Sequence, residues 1–522
     1  MDNGRGTPAA AVTSAEPAAV DTELLVFPAF EEEGLEGLPD LDGATGGEVS
    51  RAVATREFRG KPFELFVTPV VGRGWRARRV GLVGGGRRAE YDTDRARRVA
   101  TAVAMAARDR RIGRLAFVHR DGVRREATRR PGPDAPAWVQ AVTEGLTLGE
   151  FVAGQHKTSD RPERTVSQID IVVSAAPVDS LQRLADATSR GQLLGTCTNL
   201  ARDLANEPGG LLTPRALVER AATLVEGVGV AVEALDEHAM RGHGMGLLLG
   251  VAQGSHEPPR LLVLRHEPLD APAAPVLGLV GKGITFDAGG ISLKPAAGME
   301  RMKDDMAGGA AVICAMRAIG TLRAPVRVIG VVPCAENMPG GGAIRPGDVL
   351  RAASGRTVEI LDTDAEGRLA LADALWYAKQ LGVTHLVDIA TLTGACQVAL
   401  GKAVSGLMGT PAAWVEHVRE VATRAGDRAW VLPLVEEYRE LLRSDVADMA
   451  NVGGKPAGAI TAALFLREFT SGLPWAHLDI AGTAWVDEAK PYAPKGPTGV
   501  GVRALAQLAA SVFPSLSSAQ LS

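Results

Sequence analysis

Apolar and polar positions follow two rhythms along this chain, and the two halves use them differently. In the first half, apolar runs at ELLVF (23–27), KPFELFVTPV (61–70), RRVGLVGGG (78–86), GRLAFVHR (113–120) and QIDIVVS (168–174) read as strands. The stretches 94–111 and 136–152 repeat their apolar residues at helical spacing. This predicts a smaller α/β domain over 21–178, preceded by an Ala- and Pro-rich tail over 1–20 that is expected to be disordered. A long helical pattern over 179–208, closed by Pro208, links it to a larger domain over 209–522.

The second half carries near-continuous apolar runs: PRLLVLRHE, APVLGLVGKG, VRVIGVVPC, THLVDIATL and WAHLDIAG. Runs of that kind, separated by helical stretches, indicate a mostly parallel sheet covered by helices on both faces. Thr213 as N-cap, Pro214 at the first helical position and Gly227 as stop frame one such helix. In this architecture ligands bind beyond the carboxyl ends of the strands. Lys282 follows the run LGLVG and Thr391 follows LVDIA, so both fall at that edge.

Two segments there concentrate charge between glycines: Gly281 to Asp305, and LDTDAEGRL at Leu361 to Leu369. A buried core does not tolerate such groups unpaired. Asp287, Asp305, Asp364 and Glu366 would bring four carboxylates together, and they stay ionised only if cations neutralise them. Two divalent ions would do so. Oxygen ligands with neither thiolate nor a local histidine pair suit Mg, Mn or Zn. Lys282 and Lys294 frame the first carboxylate, and Arg368 follows the second cluster. A lysine beside two dications can lose its proton and ligate, or keep it and stabilise an oxyanion. The pattern EGRLALADALWYAK starts a helix at Glu366, whose dipole favours the anions at its amino end. MKDDMAGGAAVICAMRAIG starts another, in which Gly308, Gly309 and Ala310 permit close packing and Asp304 is expected to face solvent. No HExxH and no GxSxG occurs, so zincin and serine-hydrolase mechanisms lack support.

Taken singly, an Asp-x-Glu loop is usually a solvated turn and a lysine after a strand usually a surface charge. The set is more specific: VGKGITFDAGGISLKP, MKDDM, DTDAEGRLALADAL and DIATLTGA resemble the M17 leucyl aminopeptidases, cytosolic dinuclear-metal exopeptidases. The likeness continues through SDVADMANVGG, AGAITAALFL, WAHLDIAG and TGVGVR, over roughly 195–510, and the first domain weakly resembles the family's macro-like amino-terminal domain. It implies one metal held by Asp287, Asp364 and Glu366, and a second held by Lys282, Asp287, Asp305 and Glu366. Mn or Zn, or else Mg or Co, would fill the two sites, and the water between them, ionised near neutral pH, would be the nucleophile. Lys294 and Arg368 match the catalytic positions: the lysine polarises the scissile carbonyl, and the arginine holds a bicarbonate acting as general base. The substrate's free α-amine would sit beside Asp305, and Met302, Thr391, Leu392 and Gly394 match the first side-chain pocket, whose apolar character suits Leu or Met. A homohexamer with sites facing an interior cavity is implied as well. One position departs from the family: Asp362 stands where it has Asn, and an acceptor role that either residue fills is the favoured explanation.

Composition changes little. A chain of 522 residues with a net charge of −4 is large enough for two domains, and the charge names no partner. Cys197, Cys314, Cys334 and Cys396 have no CxxC spacing and read as small apolar residues in a reducing cytoplasm. The start lacks the apolar core of a signal peptide, and no run of about eighteen apolar residues marks a membrane span. Arginines crowd 73–130, including Arg78, Arg79, Arg87, Arg88, Arg97, Arg98, Arg124, Arg125, Arg129 and Arg130. A solvated face is favoured there. The alternative is a nucleic-acid footprint, which would make the protein a DNA-binding or regulatory protein with a secondary peptidase site. Gly84, Gly85 and Gly86 read as a plain turn because no phosphate-loop pattern follows. His385 and His477 read as structural, hydrogen-bonded histidines.

Overall fold

The computed structural model describes residues 8–34, 38, 40–120, 134–159, 166–174 and 176–514. The chain forms two compact units, one of residues 1–199 with 487–495 and the other of 200–486 with 496–522.

The first unit is built on a six-stranded sheet, among the described residues, with β1 (Ala9–Thr13), β2 (Leu24–Phe30), β3 (Leu65–Pro69), β4 (Arg79–Gly86), β5 (Arg114–Val118) and β6 (Gln168–Val172). Its order is β1-β6-β5-β2-β4-β3, parallel except for the edge strand β3. The helices Thr93–Asp109 and Ala135–Leu148 supply Val99, Val103, Val139, Val142 and Leu146 to a core closed by Leu24, Val26, Leu115, Phe117 and Ile171 of the sheet.

Two expectations are corrected here. The segment read as part of a disordered tail contains β1, which pairs in parallel with β6 from Ala9 opposite Gln168 to Thr13 opposite Val172. Its ladder hydrogen bonds go to a strand that the chain reaches more than 150 residues later, a partner no local pattern reveals. Gly84, Gly85 and Gly86 are also no turn but the end of β4. Gly84 and Gly86 are closed in by the chain at 60–62, a Cβ at Gly84 lying 1.8 Å from the Lys61 carbonyl oxygen, while a Cβ at Gly85 would lie 2.7 Å from the Phe30 ring. Of the arginine-rich stretch, Arg124, Arg125, Arg129 and Arg130 lie outside the described residues. Arg97 pairs with buried Glu144 at 2.6 Å, Arg98 with Asp94 at 2.9 Å, and Arg88 with Glu33.

The helix Val178–Asn206 carries the chain into the second unit. Its strands include β7 (Ala231–Leu235), β8 (Arg260–His266), β9 (Val276–Gly281), β10 (Gly283–Asp287), β11 (Arg327–Asn337), β12 (Val349–Arg351), β13 (Thr357–Glu359), β14 (His385–Ala390), β15 (Ser405–Thr410), β16 (Ala429–Val431), β17 (Met449–Ala450) and β18 (Trp475–Asp479). Nine form one sheet, in the order β16-β15-β18-β14-β9-β11-β8-β7 with β10 beside β11. The central strands β18, β14, β9 and β11 are mutually parallel and almost wholly buried, as their unbroken apolar runs require. The helix Pro214–Val225 begins as expected, with the Thr213 hydroxyl accepting from the Ala216 N–H. Helices Ala307–Thr321 and Glu366–Gln380 bury most of their residues. A smaller sheet, β12-β13-β17, pairs β13 and β17 in parallel. All four cysteines are buried. Among the described residues no helix is long and apolar enough to cross a membrane.

Candidate metal centre

Parallel β9 and β14 end side by side, so the residues that follow them share one edge of the sheet. Lys282 comes directly after β9, and its backbone N–H bonds to the Ile389 carbonyl near the end of β14 at 3.1 Å. Its ammonium points inward. Nζ lies 2.7 Å from an oxygen of Asp305 and 2.7 Å from one of Glu366, and donates to the Thr391 carbonyl at 3.1 Å. Gly367 is what leaves it room, because a Cβ there would lie 2.5 Å from the Lys282 Cε.

Asp287 ends β10, and Lys294 reaches back over it, with Nζ 2.8 Å from Asp287 and in contact with Asp364. One carboxylate oxygen each from Asp287, Asp364 and Glu366 lies within 4.8 Å of the others. Asp305 adjoins this trio through Lys282, and the Thr391 hydroxyl donates to it at 2.8 Å. Asn337, at the end of β11, donates to Asp287 at 2.8 Å and to the Thr363 carbonyl at 3.0 Å. It thereby ties the first carboxylate to the second loop, a role that sequence reading did not assign.

Charge balance fits the group to cations. Four carboxylates against two lysines leave two negative charges uncompensated. Burial, reinforced by neighbouring carboxylates, raises the pKa of Asp305 and Glu366, and burial raises that of Asp364. Burial alone would push the two ammonium groups down, yet the surrounding carboxylates hold both well above the ordinary lysine value. Glu366 Oε2 is buried with no hydrogen-bond partner, an acceptor aimed at nothing the chain supplies. A hard-oxygen set with a surplus of negative charge and an orphaned acceptor fits divalent ions.

The remaining expected residues spread around this cluster. Arg368 is buried, which pushes its pKa down to about 10, and its Nη1 donates to the Asn451 carbonyl at 2.7 Å. Met302 lies in the 3-10 turn Met299–Asp304 just before Asp305. Leu392 is half-buried against the core, and Gly394 opens the helix Gly394–Leu400 with open space where a side chain would project. Asp304 corrects the sequence reading. It is buried rather than turned to solvent, its carboxyl pushed up to about 6 by that burial, and Arg301 lies 3.5 Å away. His477 Nδ1 lies 2.5 Å from Asp388, and His385 Nδ1 lies 3.0 Å from the Thr384 hydroxyl, the structural roles expected of both.

The model of the cytosol aminopeptidase family catalytic domain matches residues 199–506. The chain belongs to the cytosol aminopeptidase family. The model of that family's N-terminal domain matches residues 26–160. A probable cytosol aminopeptidase of Solibacter usitatus is 45% identical, over 94% of this chain and 96% of its own. One from Geobacter sulfurreducens is 44% identical, over 95% and 98%. Among solved structures, a mutant of tomato leucine aminopeptidase superposes with a TM-score of 0.87 at 30% identity, covering 98% of each chain. The bottromycin maturation enzyme BotP in complex with Mn gives 0.81 at 34% identity, over 94% of this chain and 99% of that one. The M17 motifs, the two-part α/β fold and the metallo-aminopeptidase class read from the sequence are thereby borne out.

Proposed function

We propose that the protein removes N-terminal residues, preferentially Leu-like ones, from peptides, using two divalent ions. One would be held by Asp287, Asp364 and Glu366, the other by Lys282, Asp287, Asp305 and Glu366. The observation that carries this reading is the convergence of the Asp287, Asp364 and Glu366 oxygens to within 4.8 Å of one another, flanked by two lysines. When bound, the dications supply Lewis acidity and an ionised water as nucleophile. The chain's own groups do the rest. Lys294, its ammonium kept charged by Asp287, polarises the scissile carbonyl and stabilises the oxyanion. Arg368 is the residue that would hold a bicarbonate, which would supply general-base chemistry beside the nucleophile. Asp305 would stand beside the substrate's free α-amine, so only a free N-terminus is accepted, and Met302, Thr391, Leu392 and Gly394 would surround the first side chain.

Mn is the first ion to test, since a similar solved enzyme is described in complex with it. The name that the relatives carry supports a cytoplasmic location, and a homohexamer is the assembly we expect. Arg88, Arg97 and Arg98 are paired with carboxylates, which takes them out of any phosphate-binding face, while Arg78, Arg79 and Arg87 stay exposed. The test is release of a chromophore from leucyl p-nitroanilide by metal-loaded protein, its loss on chelation and its return on adding Mn. Metal-loaded protein inert toward a panel of aminoacyl amides would overturn the reading.

A further inference from the structure

We infer that Asn451 is a positioning residue for the hydrolytic site, holding at once the loop that carries Asp364 and the guanidinium of Arg368; this rests on the metal and catalytic roles proposed above. The placement follows from strand direction. β13 and β17 run parallel, with Val358 opposite Met449 and Glu359 opposite Ala450, so the segments leaving both strands emerge at one edge of the small sheet. Asn451 leaves β17 and the 360–364 segment leaves β13. The Asn451 N–H continues the ladder onto the Glu359 carbonyl at 2.9 Å.

From that anchor the side-chain amide, fully buried, is consumed by the facing loop. Its Oδ1 accepts from the Leu361 N–H at 2.8 Å and the Asp362 N–H at 3.3 Å, while Nδ2 donates to the Asp362 carbonyl at 2.6 Å. The amide cannot be turned over, because backbone donors face one end and a carbonyl the other. Asp362, clamped on both its backbone groups, accepts from the Asp364 N–H through its own Oδ1 at 2.9 Å. On the other side of the same residue, the Asn451 carbonyl accepts from Arg368 Nη1 at 2.7 Å. One asparagine therefore holds the loop that ends at Asp364 and, in the first turn of the helix that follows, Arg368, without belonging to the carboxylate and lysine cluster itself. The Arg368 bond is made by the main chain, so it depends on the asparagine only through the side-chain bonds that fix where that carbonyl stands.

Asn451→Ala removes the three side-chain hydrogen bonds. Lost support of this kind typically weakens metal binding or activity by about 10–100-fold. We expect apo protein titrated with Mn to bind it about tenfold or more weakly, and kcat on leucyl p-nitroanilide to fall about 10–100-fold, with KM nearly unchanged. Asn451→Asp keeps the acceptor for Leu361 and Asp362 but loses the donor, and should fall between. In an Arg368→Ala background the kcat loss caused by Asn451→Ala should shrink, since part of it acts through that arginine. If Asn451→Ala fails to fold, the isosteric Asp variant carries the test. A folded variant with wild-type Mn affinity and wild-type kcat, changed only in melting temperature, overturns the inference. If the wild-type protein binds Mn but hydrolyses nothing, the peptidase reading fails by itself, and the Mn titration still decides the role of Asn451.

Discussion

The Oδ1 of Asp362 accepts a hydrogen bond from the backbone N–H of Asp364 at 2.9 Å. An asparagine presents the same acceptor in the same place, which explains how Asp can stand where the family resemblance leads one to expect Asn. The extra charge contributes to the raised pKa of Asp364 but is the smallest of the causes acting on it. Asp362→Asn should therefore retain kcat/KM within about tenfold. A loss of activity beyond about a thousandfold in folded, metal-loaded protein would make this carboxylate a participant in the chemistry.

Metal removal should cost stability as well as activity. The bound ions would satisfy the Glu366 oxygen that has no partner and offset the two surplus negative charges of the cluster. A ligand at about 100 times its Kd stabilises the folded state by about 2.7 kcal/mol. Chelation should lower the melting temperature, and Mn should restore it in a dose-dependent manner. Identical melting curves with and without Mn would separate the cluster from any metal.

The buried His477–Asp388 pair should give the second unit a pH-dependent stability. Burial alone would lower the imidazole pKa, but Asp388 and, more weakly, Asp479 raise it above its usual 6.5. A histidine whose folded pKa exceeds its unfolded value contributes fully below about pH 6.5, and that contribution is lost as pH rises through the folded value. Breaking such a pair costs roughly 3 kcal/mol. The stability gap between wild type and His477→Gln, read from urea midpoints, should be widest near pH 6 and narrow toward pH 9. A gap that widened with pH would show the imidazole to be neutral.

Gly84→Ala should destabilise the first unit by about 3 kcal/mol, since the new methyl group would overlap the Lys61 carbonyl and that backbone has to move. Activity per folded molecule should stay near wild type, because residue 84 supplies no group to the metal centre. Thermal unfolding followed beside leucyl p-nitroanilide turnover separates the two effects, and an unchanged melting temperature would show that the 60–62 crossing gives way freely.

What was legible in the sequence was what contiguous residues carry. The apolar runs of β9, β11, β14 and β18 announce a parallel sheet because burial on both faces leaves no polar alternation, whereas the equally apolar β8 pairs antiparallel with both its neighbours. Asp287, Asp364 and Glu366 announce a cluster because carboxylates between glycines make a poor core. What escaped depends on partners far along the chain. β1 is an ordinary Ala/Val stretch until β6 arrives beside it, and Gly84 resembles a turn glycine until Lys61 lies over it. Asp304 appeared free to face water because nothing near it in the sequence reports the packing that buries it. Asn451 sits some 90 positions from the loop it holds, and although it lies within the family-like stretch SDVADMANVGG, nothing in that stretch names its partner.

The first unit also takes in residues 487–495, where the Tyr492 ring packs on Phe63 at 4.6 Å and lies under the Arg98 guanidinium at 5.3 Å. On the ribosome this unit stays incomplete after its own first 199 residues have emerged, and it waits for roughly 300 more. At about 5–20 residues per second, that is some 15–60 seconds during which Phe63 lacks its cover, exposed to a chaperone or to a neighbouring nascent chain. A gene cut after residue 199 would make that waiting state permanent.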